Sequence, residues 1–166
     1  MKYFFLALLL ISAGARAQSN NNTMNNPLAL SPGSKVTIRY IVQDVDAAVK
    51  FYTELLGFVL DMRPAPGFAA LSRGNLRLLM NRPGSGGTGQ SMPDGTVPQP
   101  GGWNRFQIEV EDLKATISSL KAKGAQFRNE LVKGYGGDQI LLLDPSGNVI
   151  ELFQPPHTPK DAASAN

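Results

Sequence analysis

The sequence predicts an α+β fold built from two βαβββ modules around a shared cavity. Three observations carry the expectation. The run Ile38–Val49 is echoed 68 residues later by Phe106–Ile117. Each copy alternates like a strand and then leads through an Asp into a helical stripe. After each helix come further strand-like runs, and the two series are joined by a segment dense in Gly and Pro. A repeated supersecondary unit that cannot bury its own apolar face stacks on its copy. The residues facing the cavity between the halves are therefore the place to seek function.

The elements follow in order. The domain begins near Lys35. In the first strand Ile38, Tyr40 and Val42 share one face, and Thr37, Arg39 and Ile41 the other. Asp44 is an N-cap, because its carboxylate can accept from the orphan amides of a first turn. Val45, Ala48, Val49, Tyr52 and Leu56 then recur at helical spacing, and Gly57 supplies the left-handed stop. Phe58–Met62 and Phe68–Ser72 read as strands, with Arg73-Gly74-Asn75 as a hairpin turn and Leu76–Met80 closing the module.

Residues 82–102 hold seven Gly and four Pro, a composition in which no helix or strand is expected. This connector is long enough for a lid, and a passive linker accounts for it equally well. The second module (103–155) repeats the order. Arg105–Val110 is a strand. Asp112 caps a helix with the stripe Leu113, Thr116, Ile117 and Leu120, stopped at Gly124. Gln126–Glu130 and a fully buried Gln139–Leu143 are strands. Asp144-Pro145-Ser146-Gly147-Asn148 is a tight turn, and Val149–Phe153 is the last strand. The polar tail, 156–166, is expected to be disordered.

Residues 1–17 read as a secretory signal: Lys2, an apolar run to Ile11, and the small-residue site Ala15-Arg16-Ala17. The apolar run is short for a membrane span, although an uncleaved anchor is the alternative. Residues 18–34 are an Asn/Ser/Pro-rich flexible leader. A periplasmic or secreted protein is expected, with no membrane association after signal removal. Loss of Lys2 and Arg16 leaves 14 basic residues of the original 16 against 13 acidic ones, so the basic pI belongs largely to the signal. With no Lys/Arg run, nucleic-acid binding lacks electrostatic support. The chain has no Cys, which removes disulfides, thiol nucleophiles and Cys-ligated metals.

Two segments, Val42-Gln43-Asp44 through Phe51-Tyr52 to Leu56-Gly57-Phe58, and Asp144-Pro145-Ser146-Gly147-Asn148 to Glu151-Leu152-Phe153, resemble signatures of the vicinal oxygen chelate proteins. That superfamily includes glyoxalase I, bleomycin-resistance proteins and extradiol dioxygenases. The resemblance covers about residues 36–155. It implies sheets curved around a cup, often completed by pairing two chains, so a homodimer is expected. In metal-dependent members four inward side chains from the first and fourth strands of each module hold a divalent ion. By the register read from sequence these positions are Thr37, Leu78, Arg105 and Glu151, of which only Glu151 is a ligand type. No bound metal and no cofactor are therefore expected.

Alternation places Arg105, Gln107 and Glu109 on the cup face, with Thr37, Arg39, Glu151 and Phe153. Buried charges are costly unless paired, and two readings remain open. In one, Arg105 grips an anionic small molecule in a fork while Trp103 stacks on it. In the other, Arg105–Glu151 and Arg39–Glu109 are internal ion pairs that brace the sheet. The favoured function is metal-free binding of a polar or anionic small molecule. The alternatives are a lyase or isomerase with Glu151 as acid–base group, and a structural or interaction module.

Overall fold

The computed structural model describes residues 35–156, and the expected signal and leader and the tail beyond Pro156 lie outside them. The first module runs β1 (Val36–Ile41), α1 (Val45–Leu56), β2 (Val59–Ala65), β3 (Phe68–Arg73) and β4 (Leu76–Asn81). The second runs β5 (Arg105–Glu109), α2 (Leu113–Ala122), β6 (Gln126–Phe127), β7 (Val132–Gly134), β8 (Gly137–Leu143) and β9 (Val149–Gln154). The fold is α+β, with two curved mixed sheets and two helices among the described residues. The first sheet has the order β1-β4-β3-β2 and the second β5-β9-β8-β6, with β7 on β8. In each, the first strand lies parallel to the last: β1 against β4 and β5 against β9.

Both helices start as the capping chemistry dictates. The Asp44 carboxylate accepts from the amides of Asp46 and Ala47, and that of Asp112 from Ala115. Gly57 ends α1 in the left-handed region, at φ 66°. The buried stripe of α1 includes Phe51, and the expected Val49 is only half-buried. The apolar faces of β1 and β5 meet in one core. Tyr40 and Phe106 stack with centroids 5.7 Å apart, and Phe58 meets the Phe106 ring edge-on at 6.1 Å.

The turn Asp144–Asn148 joins the modules through polar contacts. The buried Asp144 carboxylate accepts from the Ser146 and Asn148 amides, the Asn148 side chain and the Tyr52 hydroxyl. Asn148 Nδ2 also donates to the Ile41 carbonyl, the Tyr40 hydroxyl to that of Val149, and the Gln43 amide to Ser146 Oγ. Burial pushes the Asp144 carboxyl above the usual carboxylate range despite these donors, and it pushes the Tyr40 phenol up to about 12.

Several elements differ from the sequence expectation. The Gln126–Glu130 run is a strand only at Gln126–Phe127. Asn129 Oδ1 takes the Leu141 amide that a backbone carbonyl would otherwise take, so the chain leaves the ladder there. It rejoins as β7, which the sequence reading did not contain. Strand β8 begins at Gly137 and is not fully buried, because alternate residues lie on the open face. The connector, in which no helix was expected, holds a three-residue 3₁₀ segment at Gly87–Gly89.

Candidate functional site

The parallel pairing of β5 with β9 sets the centre of the site. Gln107 stands opposite Glu151, Arg105 opposite Val149 and Glu109 opposite Phe153. Partners in register share a face, so the Glu151 carboxylate emerges between the side chains of β5. Arg105 Nε donates to Glu151 Oε2 at 2.6 Å, and Gln107 Nε2 donates to Oε1 at 2.7 Å. The Glu151 side chain is 10% exposed and that of Arg105 37%. Burial alone would push the Glu151 carboxyl up. The donors Gln107 and Arg105, with the guanidinium charge, outweigh it and hold the group below its ordinary value.

Arg105 also donates from Nη1 to the Trp103 carbonyl at 3.3 Å. Trp103 is 65% exposed. The Arg128 guanidinium lies 3.6 Å from the indole centroid and is anchored by a 3.0 Å bond from Nη1 to the Gly102 carbonyl. One indole face is thus backed by a cation while much of the ring remains open. Sequence reasoning missed Arg128, because the short β6 and the Asn129 departure from the ladder decide where it points. Phe153 is half-buried against Gly137, where an added Cβ would meet its ring at 2.6 Å.

On the first module Thr37 and Arg39 lie on the equivalent face of β1, and both are exposed. Arg39 does not reach Glu109. Its Nη1 donates to Asn81 Oδ1, and the ion pairs among the described residues are Arg105–Glu151 and Arg63–Asp46. The Arg39–Glu109 brace is therefore not formed, for a neutral acceptor lies closer on the neighbouring strand. Tyr135 is fully exposed.

The pairing corrects one position read from sequence. Arg39 pairs with Leu79 just as Gln107 pairs with Glu151. The counterpart of Glu151 is therefore Leu79, whereas Leu78 is fully buried on the opposite, core face. The four positions implied for a divalent ion become Thr37, Leu79, Arg105 and Glu151. They do not fit such an ion. Leu79 has no donor atom, Arg105 brings a positive charge, and each oxygen of Glu151 already accepts a hydrogen bond. Among the described residues no three His, Asp or Glu side chains cluster elsewhere as a ligand set.

A groove of about 410 Å³ lies off this face, between α1 and the end of β8, lined by Phe51, Leu55 and Leu143 among others. The cup face itself is open in the single chain.

This topology and these paired modules define a protein of the glyoxalase type. Residues 36–152 match the family model described as the Glyoxalase/Bleomycin resistance protein/Dioxygenase superfamily, and the chain belongs to that superfamily. A lactoylglutathione lyase of Arabidopsis thaliana is 28% identical over 130 residues, covering 73% of this chain and 44% of that protein. The chain thus spans less than half the length of the curated relatives it matches. Among solved structures, a lactoylglutathione lyase from Agrobacterium tumefaciens superposes with a TM-score of 0.57 at 17% identity, covering 78% of this chain and 96% of that one. TnmS3, an antibiotic binding protein from Streptomyces sp. CB03234, does so with a TM-score of 0.58 at 24% identity, covering 77% and 98%. At these identities the structural likeness establishes the fold.

Proposed function

We propose that this is an exported, homodimeric binding protein that takes a polar or anionic small molecule on its cup face without a metal. The observation that carries the reading is the second-module cluster. Arg105 is fixed in place by Glu151 and by the Trp103 carbonyl, beside an indole whose ring is open to solvent. A guanidinium held in one orientation offers its remaining N–H groups to a carboxylate at little entropic cost. The adjacent indole gives a planar ligand a surface to stack on. The antibiotic-binding function in the name of TnmS3 agrees with a binding role.

Pairing of two chains would close a face that one chain leaves open. Edge strand β2 is exposed along its whole length, including Val59, Leu60 and Met62. Such an apolar edge is suited to a contact between copies.

A lyase or isomerase acting through Glu151 is the second reading, favoured by the lactoylglutathione lyase relatives. It fares less well, because a general base works best with proton affinity near the working pH. Here the donors of Arg105 and Gln107 hold the carboxylate well ionised.

Trp103 is the single Trp of the chain, so its fluorescence reports directly on the site. Titration with benzoate and a series of aliphatic carboxylates should quench or shift it saturably, and Arg105→Met should abolish the response. If the stable double variant Arg105→Met/Glu151→Leu binds the series as the wild type does, this pair is a brace and the reading fails. Export is checked by N-terminal sequencing of the protein recovered outside the cytoplasm, expected to start at Gln18.

A further inference from the structure

The two modules repeat each other in backbone but not in charge. In the second, Arg105 is neutralised by Glu151. In the first, the counterpart of Glu151 is Leu79, so no carboxylate faces Arg39 from that position. Arg77 stands directly opposite Thr37, one two-residue step from the position opposite Arg39, on the same face. Its Nη2 approaches the Met62 sulfur at 3.7 Å. Neither Arg39 nor Arg77 forms an ion pair among the described residues. Two arginines rising from neighbouring positions on one open face give it positive charge, which draws an anion toward it.

Arg39 is moreover held. Its Nη1 donates to Asn81 Oδ1, and Asn81 is 2% exposed. The amide of Asn81 cannot turn over freely, because its Nδ2 donates to the Gly86 carbonyl of the connector at 3.3 Å. That part of the connector is itself tied down. The Arg82 amide and Ser85 Oγ both donate to the Gly67 carbonyl, at 3.0 and 3.1 Å. Gly89 is packed so closely that an added Cβ would lie 2.5 Å from the Arg82 carbonyl oxygen. A buried neutral amide thus fixes one edge of a guanidinium and leaves the charge uncancelled, as a preformed anion site requires.

We propose that the first module carries an oxyanion subsite, formed by Arg39, Arg77 and the Thr37 hydroxyl and positioned by Asn81, which takes a phosphate or carboxylate group of the ligand. The proposal rests on the reading of this face as a ligand site and assigns the ligand a second anionic end, apart from the one at Arg105.

Inorganic phosphate, titrated by calorimetry into the full mature protein at low ionic strength, tests it. Phosphate should bind, and Arg39→Met and Arg77→Met should each weaken binding about tenfold or more, the loss of one charge-assisted contact. Arg73→Met, which removes a cation lining the groove by Ile108 and Leu152 instead, should change the constant less than about twofold. Absence of phosphate binding, or equal losses in all three variants, overturns the subsite. The role of Asn81 is read from a pair of variants. Asn81→Asp places a carboxylate on Arg39 and should cost affinity as Arg39→Met does. Asn81→Leu frees the guanidinium without neutralising it and should cost less, while amide exchange at Ser85 and Gln90 rises in both. Equal losses of affinity would make Asn81 a loop anchor only. Benzoate binding that ignores Arg105→Met sinks the preceding reading but leaves phosphate binding at Arg39 to be judged by these variants alone.

Discussion

Replacing Arg105 by Met tests the Glu151 cluster most directly. The change keeps most of the aliphatic stem and removes the guanidinium, leaving Gln107 as the donor to a carboxylate only 10% exposed. A hydrogen bond to a charged group contributes about 1.5–3 kcal/mol. The Arg105 side chain is 37% exposed, so solvent screening removes part of that, and the expected loss is about 1–2 kcal/mol. For a domain of this size the melting temperature should fall by roughly 5 °C. The pH dependence separates charge from packing. The folded-state pKa of Glu151 lies below its unfolded value. Its contribution is therefore present above the unfolded carboxylate range and is lost as pH falls through the folded value. In Arg105→Met burial is opposed by Gln107 alone, without the guanidinium's hydrogen bond and charge, and the carboxyl moves up, so this acid-side loss shrinks. Urea unfolding at pH 7 and at pH 3 should show the variant's penalty largest at pH 7 and much reduced at pH 3. A penalty equal at both pH values would mean that lost packing, not the ion pair, sets the cost, and the electrostatic account of the cluster would be wrong. Adding Glu151→Leu should restore most of the neutral-pH stability, since apolar replacement of a buried pair is often neutral or better.

Asp144→Ala should destabilise by about 2–4 kcal/mol in urea unfolding, because it strips the acceptor from the Tyr52 hydroxyl, two backbone amides and the Asn148 side chain at the module junction; a loss under about 0.5 kcal/mol would show that water serves these donors equally well. Val59→Lys with Met62→Lys, on the exposed edge strand, should convert a dimer to monomer in sedimentation at micromolar concentration. A dimer untouched by both charges would place the contact elsewhere.

Much of the fold was legible in the chain. The Asp44 and Asp112 caps, the stop at Gly57 and the Asp144–Asn148 turn are local chemistry, decided within a few residues by which backbone groups need a partner. The alternation of β1 and β5 is equally local, and it placed Arg105, Gln107 and Glu109 together on one face. The sequence alone therefore determined the repeated module, its caps and turns, and the polar face of β5. Beyond local chemistry the sequence expectation and the structure part. Leu78 stood for Leu79 because a strand's face depends on register against its neighbour, and a shift of one residue exchanges faces. Arg39 turned to Asn81 rather than Glu109, and Arg128 came over Trp103, because long flexible side chains choose among partners that only folding brings near. Tertiary structure decided which charges are neutralised, at Arg105, and which have no carboxylate partner among the described residues, at Arg39 and Arg77. Pairing across strands depends on three-dimensional distance, and that is not written in the spacing of any one segment.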